Sequence, residues 1–400
     1  MPENSLPIVP GIRLASVPAR IKDWQRDDLL LMEISAEASV AATFTQNSFC
    51  AAPVTVAKEH LEHGDIRALL VNAGNANAAT GERGLSDARA CCTAVGEALG
   101  LHGEQVLPFS TGVIGEHLPL QKLLDAIPVA AGALAEAGWD AAAATIMTTD
   151  TRAKGASRRV QVGDQWITVT GIAKGSGMIQ PNMATMLAYV ATDAAIDQAL
   201  LDTLVREAVD ASFNRISVDG DTSTNDACVL IATGATGPVM ADPGNADYQR
   251  LKQAVTEVHV DLAQAIVRDG EGATKFVTVQ VDGATTPAEA LRVAFEVGES
   301  PLVKTALYAS DPNWGRLVMA VGNAGIDGLD PAGVDIYLDD VQVVEAGGRA
   351  PGYEEQAGQA VFDRPEFTIR VSLGRGECSE HIWTCDFSHE YVTINAEYRT

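Results

Sequence analysis

The chain alternates two rhythms, short apolar runs of strand length and longer stretches with helical spacing, and it does so most regularly in its first third. Ala68 to Asn72 is a short apolar run that ends in a polar, glycine-bearing loop through Gly84. Ser86 then predicts the N-cap of a helix running to Ala98. A second unit repeats the plan: Val106 to Phe109 predicts a strand, Ser110 to Gly115 a turn, and Leu120 to Ala137 a helix interrupted near Pro128. Val160 to Thr170 alternates at period two around Gly163-Asp164, which predicts a hairpin.

Farther along, Met186 to Ala191 reads as a buried strand, and Asp193 is expected to cap a helix from Ala195 to Ala211. Ala227 to Thr233 is another apolar strand, followed by a long amphipathic helix from Tyr248 to Arg268. Thr286 with Glu289 forms a capping box around Pro287, and Ser300-Pro301 opens the next helix. The last third reads as strands at 334–338, 367–373, 381–387 and 391–395. These elements predict an α/β (α+β) chain with a sheet core between helices and a smaller second α/β domain. The domain change is expected near 282–286, giving a first domain of about 1–282 and a second of about 283–390.

Composition narrows the class. With 400 residues, 46% apolar and 20% charged, the chain can bury two cores. A net charge of -25, spread along the sequence, argues against nucleic acid and anionic membrane surfaces as partners. The longest uncharged run, Ala38 to Ala57, holds Ser, Thr, Gln, Asn and Pro, which a bilayer core would penalise. The N-terminus lacks the basic-then-apolar pattern of a signal peptide. Six cysteines, Cys91 and Cys92 side by side on a helical pattern and the others scattered, suit buried free thiols in a reducing cytoplasm, the expected location.

Candidate chemistry concentrates in Lys174 to Leu187, a glycine-rich, proline-containing run in which Thr185 follows Ala184. Were that bond cut, Thr185 would carry both a hydroxyl nucleophile and an α-amine whose pKa lies near neutrality, one of the few ways to activate a threonine. Competing signatures are missing: no phosphate loop, no G-x-G-x-x-G, no G-x-S-x-G elbow. His60 and His63 lack the H-E-x-x-H arrangement, and the run Asp219 to Asp226 fails the calcium-loop pattern at its sixth and twelfth positions. A polar turn that organises backbone around a site fits that run better, and no metal is expected.

Ser110-Thr111-Gly112 reads equally as a plain turn or as backbone able to stabilise an oxyanion. Lys174 reads as a surface lysine or as a cation for a carboxylate, and Glu271, between two glycines, as a solvent turn or a ligand contact. Thr400 lies a few residues beyond the expected strand 391–395, close enough to be held in place.

Seven segments together give the chain its resemblance: 72–81, 110–115, 174–187, 217–226, 270–275, 311–316 and 394–400. In that order they resemble the ornithine acetyltransferase family of arginine biosynthesis, over nearly the whole length. The resemblance implies a fold similar to, but distinct from, the N-terminal nucleophile hydrolases. It implies autocatalytic cleavage between Ala184 and Thr185 into an α chain of 1–184 and a β chain of 185–400, assembling as an α2β2 heterotetramer. It further implies Thr185 as nucleophile, Thr111 and Gly112 as oxyanion hole, and substrate contacts at Thr148 (with Thr149 adjacent), Lys174, Thr185, Glu271, Asn395 and Thr400. The implied substrates are N-acetylornithine and glutamate, without a cofactor; acetyl-CoA stays open as a co-substrate. A self-processing amidohydrolase or aminopeptidase and a non-catalytic binding protein are the alternatives.

Overall fold

A computed structural model describes residues 5–180 and 186–397. Ala184, Thr185 and Thr400 lie outside the described residues. The chain forms two compact units, Met1–Gly175 with Asn182–Asn214 and Thr222–Ile266, and Ser176–Pro181 with Arg215–Asp221 and Val267–Thr400. The division therefore falls at Ile266/Val267, inside the helix Ala246–Arg268, and not at 282–286. The reason is the strand Phe276–Ala284, which pairs on one side with Glu366–Ser372 and on the other with Cys378–Cys385. A strand bonded on both edges belongs with its partners.

The first unit is built on two sheets. One has the order Ile12–Val17, Leu29–Ile34, Ala68–Asn75, Val106–Val113; the other runs Ser39–Phe44, Ala227–Met240, Leu187–Ile196, Gln165–Lys174, Lys154–Val162. Alternation makes each sheet two-faced. Leu30, Met32, Leu69, Val71, Leu107 and Phe109 from the first meet Ile172, Tyr189, Val229 and Ile231 from the second in one core. Phe109 and Tyr189 close it edge-to-face with ring centroids 5.4 Å apart.

The intervening residues Leu29, Leu31, Leu70 and Val106 point the other way, onto Cys91, Cys92 and Val95 of the helix Gly81–Leu99 and onto Leu123 and Ile127 of Leu120–Gly132. On the second sheet the outer face meets Val258 and Leu262 of Ala246–Arg268, so closely that a side chain at Gly171 would sit 2.8 Å from Val190 and 3.1 Å from both. Two stacked sheets flanked by helices result, the α/β class expected.

The second unit carries a seven-stranded sheet in which Phe276–Ala284, Glu366–Ser372 and Cys378–Cys385 are central. Val277, Val279, Val281, Ile369, Val371 and Ile382 pack on Val293, Val297, Leu307, Leu317 and Phe362 of its helices. Thr286 caps Pro287–Glu299 by accepting Glu289 N–H at 3.1 Å, but the Glu289 carboxylate returns to Thr285, not Thr286.

Three local expectations are corrected. Asp193 caps no helix: it lies in the strand Leu187–Ile196 and accepts Thr168 N–H at 2.7 Å, while Asp197 caps Gln198–Asp210. Ser110-Thr111-Gly112 is no turn, since the strand Val106–Val113 continues through it. Residues 391–395 form part of a helix, His389–Ala396, whose N-cap Ser388 accepts the N–H groups of Glu390 and Tyr391. The cysteines are all free, four buried, with Cys50 and Cys378 partly exposed. No described helix is long and apolar enough to cross a membrane.

Candidate active site

In the first unit, Thr111 and Gly112 sit on an edge strand, where alternate N–H groups lie outside the ladder. Gly112 adopts φ +134° opposite Gly74; a Cβ there would stand 2.3 Å from the Gly74 carbonyl carbon. Only glycine fits so close an approach. Asn225 fixes the preceding peptide bond. Its buried carboxamide donates to Ser110 O at 2.9 Å and to Ala76 O at 2.6 Å. Because the peptide is planar, anchoring that carbonyl also sets the direction of the Thr111 N–H.

Lys174 is buried at the end of its strand, 3% exposed, which removes the surface reading. Its ammonium donates to Thr111 Oγ1 at 3.1 Å. A hydroxyl that accepts from a cation keeps its own hydrogen for a second partner, and the accepted bond makes it a stronger donor. Asp150, also buried, accepts Lys154 Nζ at 2.6 Å, Gly175 N–H at 2.8 Å and Thr148 N–H at 3.0 Å. Burial raises its pKa, but the Lys174 and Lys154 ammonium groups and the Gly175 N–H outweigh that and hold it at about 2. Thus Thr111, Thr148 and Lys174 are brought into one hydrogen-bonded cluster through Asp150 and the Lys174 chain segment.

Met186, the first described residue after the Ala184-Thr185 junction, donates its N–H to Asp226 Oδ1 at 3.0 Å. Burial pushes the Asp226 carboxyl well above its usual range, against the Met186 N–H and the nearby Lys174 ammonium, which pull it down.

In the second unit, Glu271 is buried and accepts Asn395 Nδ2 at 2.7 Å, joining two further predicted contacts. Its carboxylate lies against bare backbone, since a Cβ on Gly177 would be 2.5 Å from it. Asp219 accepts the N–H groups of Met178 and Ile179 at 2.6 and 2.8 Å, with Met178 held at φ +58°. Tyr391 Oη also donates to Asp219, at 3.3 Å, which ties the helix bearing Asn395.

Asp150 and Lys154 are not among the residues expected from sequence, and Asp219, Asn225 and Asp226 carry no separate expected roles. A signal existed for the last three, in the polar run 219–226. For Asp150 the only hint was a lysine four residues on.

The family model described as the ArgJ family matches residues 13–400. The chain belongs to the ArgJ family. A protein of Methylococcus capsulatus named arginine biosynthesis bifunctional protein ArgJ is 56% identical over 98% of this chain and 96% of its own length. One of the same name from Pseudomonas syringae pv. tomato is 53% identical over 100% and 98%. Among solved structures, a chain of the Bacillus halodurans ArgJ protein is 38% identical, with a TM-score of 0.50. It covers 52% of this chain but 97% of that chain, so the solved relative's chain is about half as long.

Proposed function

We propose that this protein is an acetyltransferase of arginine biosynthesis that moves the acetyl group of N-acetylornithine to glutamate through an ester on Thr185. The observation that carries the reading is the buried Lys174 ammonium on Thr111 Oγ1, next to a glycine that admits no side chain. That pairing suits an oxyanion better than a neutral ground state.

The Thr185 hydroxyl attacks the acetyl carbonyl and its α-amine takes the proton. Thr111 and Gly112 donate to the oxyanion, each bond worth about 3 kcal/mol of barrier. The tetrahedral intermediate expels ornithine as the Thr185 ammonium returns the proton to the leaving amine. The amine of glutamate then attacks the ester, its proton passes to the Thr185 amine, and N-acetylglutamate leaves with the hydroxyl restored. Substrate contacts follow the resemblance: Thr148, Lys174, Thr185, Glu271, Asn395 and Thr400, with Glu271 facing the ornithine side-chain ammonium.

Processing uses the same hydroxyl. Thr185 attacks the Ala184 carbonyl, the peptide becomes an ester, and water opens it to chains 1–184 and 185–400 that assemble as α2β2 in the cytoplasm. The half-length chain of the solved Bacillus halodurans relative supports this. The word bifunctional in the relatives' names supports a second donor, for which we assign acetyl-CoA.

Incubation with N-acetylornithine, with and without glutamate, tests the reading. Transfer predicts N-acetylglutamate only when the acceptor is present and little free acetate without it. Acetate released steadily without glutamate would make the protein an amidohydrolase instead.

A further inference from the structure

Asn395 meets Glu271 from a helix with no apolar anchor, since none of the residues of His389–Ala396 is buried. Its carboxamide nitrogen donates to Glu271 Oε2 at 2.7 Å and to Tyr391 O at 3.0 Å. Two bonds from one amide nitrogen fix the plane of the carboxamide, and with it the direction of its oxygen. A carboxylate and an amide oxygen are both acceptors, a pair suited to an ammonium group. How steadily the pair is presented depends on what holds Tyr391.

Tyr391 is held by its ring, its hydroxyl and its N–H. The ring stacks on Phe387, with centroids 4.8 Å apart and planes 20° from parallel. The hydroxyl donates to Asp219 Oδ2 at 3.3 Å, and Asp219 is fixed in turn by the Met178 and Ile179 N–H groups. The N–H donates to Ser388 Oγ, and both lie on the backbone of Gly272: a Cβ there would stand 2.5 Å from that hydroxyl and 2.6 Å from the Tyr391 nitrogen. Gly272 follows Glu271, so the first turn of the helix rests on the loop that carries the carboxylate. Phe387 is tied to Lys304, a wholly buried lysine whose carbonyl accepts the Phe387 N–H at 3.2 Å and whose ammonium lies 4.7 Å from the ring centroid. The same ammonium donates to Thr384 Oγ1 at 3.0 Å and to Cys385 O, at the end of the strand Cys378–Cys385. Tyr391 therefore links an exposed helix to the sheet.

We propose that Tyr391 is a positioning residue for the amine-bearing substrate. Through its ring and hydroxyl it holds Asn395 on Glu271, and so governs the N-acetylornithine half-reaction and not that of glutamate. This rests on the acetyltransferase reading, in which Glu271 meets the ornithine side-chain ammonium. Glutamate carries no such ammonium, so a displaced Asn395–Glu271 pair leaves its half-reaction unchanged. In a ping-pong cycle kcat/KM for each substrate reports its own half-reaction, which separates the two effects.

The experiment is kcat/KM for N-acetylornithine and for glutamate in the full-length parent, Tyr391→Leu, Tyr391→Phe, Asn395→Ala, and Tyr391→Leu with Asn395→Ala. In Tyr391→Leu, which loses both ring and hydroxyl, we expect the N-acetylornithine value to fall about tenfold while the glutamate value stays parental. Tyr391→Phe keeps the stack and should fall about threefold, again for N-acetylornithine alone. In the double variant the loss should match that of Asn395→Ala, because Tyr391 acts through Asn395. Equal losses for both substrates, as a smaller folded fraction would give, overturn the proposal. So do an unchanged N-acetylornithine value in Tyr391→Leu and losses that multiply in the double variant. If Tyr391→Leu does not fold, Tyr391→Phe decides: a loss confined to N-acetylornithine supports the proposal, and an equal loss for both substrates or none overturns it. A parent that transfers no acetyl sinks the acetyltransferase reading itself, which is a different result from an active parent matched by its variants.

Discussion

Single residues show where the sequence could be read and where it could not. Thr111 and Gly112 are ambiguous from the residues alone, equally a turn or an oxyanion site, and only the family resemblance gives them and Thr185 their proposed roles. Lys174 was legible only as a cation: burial and its bond to Thr111 depend on strands from distant parts of the chain. Asp150 shows the same dependence: besides Lys154, its partners are backbone N–H groups that no sequence pattern marks.

Gly112 gives the sharpest residue-scale test. Gly112→Ala forces a methyl to 2.3 Å from the Gly74 carbonyl carbon at φ +134°. Parting the strands and adopting that φ should cost about 3 kcal/mol. Denaturant titration reads this directly, and an unchanged midpoint would show that the strands are not in this register. At Glu271, replacing the carboxylate by Gln keeps an acceptor for Asn395 but removes the charge. Ornithine affinity, measured by product inhibition, should fall roughly tenfold; equal affinity would take Glu271 away from the side-chain ammonium.

Among elements, the hairpin with its own turn chemistry follows the sequence. Gly163-Asp164 joins Lys154–Val162 to Gln165–Lys174 in a two-residue hairpin, as the period-two alternation predicted. The helix His389–Ala396 was read as a strand because it has no apolar face to reveal its period; none of its residues is buried. Polar anchors hold it instead, from Ser388 at its start to Tyr391 on Asp219 and Asn395 on Glu271.

The packing of Ala246–Arg268 on the second sheet has a pH signature. Burial lowers the pKa of His259, on this helix, from 6.5 to about 4. Its ring faces Cys228 Sγ at 3.6 Å and Val255 O at 2.8 Å. The unfolded chain takes up the imidazole proton near 6.5 and the folded one only near 4. Stability is therefore full above 6.5 and falls as pH drops toward 4, by up to about 3 kcal/mol. In His259→Leu that part of the acid loss should vanish, as denaturant midpoints at neutral and acid pH would show. Equal losses in parent and variant would mean that His259 is not buried as described.

For the whole molecule, the mixed α/β class followed from the alternation of patterns, but the division into units did not. Short segments, Ser176–Pro181 and Arg215–Asp221, leave their sequence neighbours to join the second unit. Such exchanges are set by three-dimensional contacts, which the order of predicted elements around 282–286 does not report. The proposed reading joins these parts into one account, in which the Ala184-Thr185 bond would both break in maturation and free the nucleophile.

The mass of the denatured protein after exposure to N-acetylornithine alone tests that account most directly. We predict two chains, 1–184 and 185–400, the second carrying one acetyl group on Thr185 that disappears when glutamate is added. Thr185→Ala should give one intact, unmodified chain. A single intact chain from the parent, or an acetyl group on any residue other than Thr185, would contradict the account.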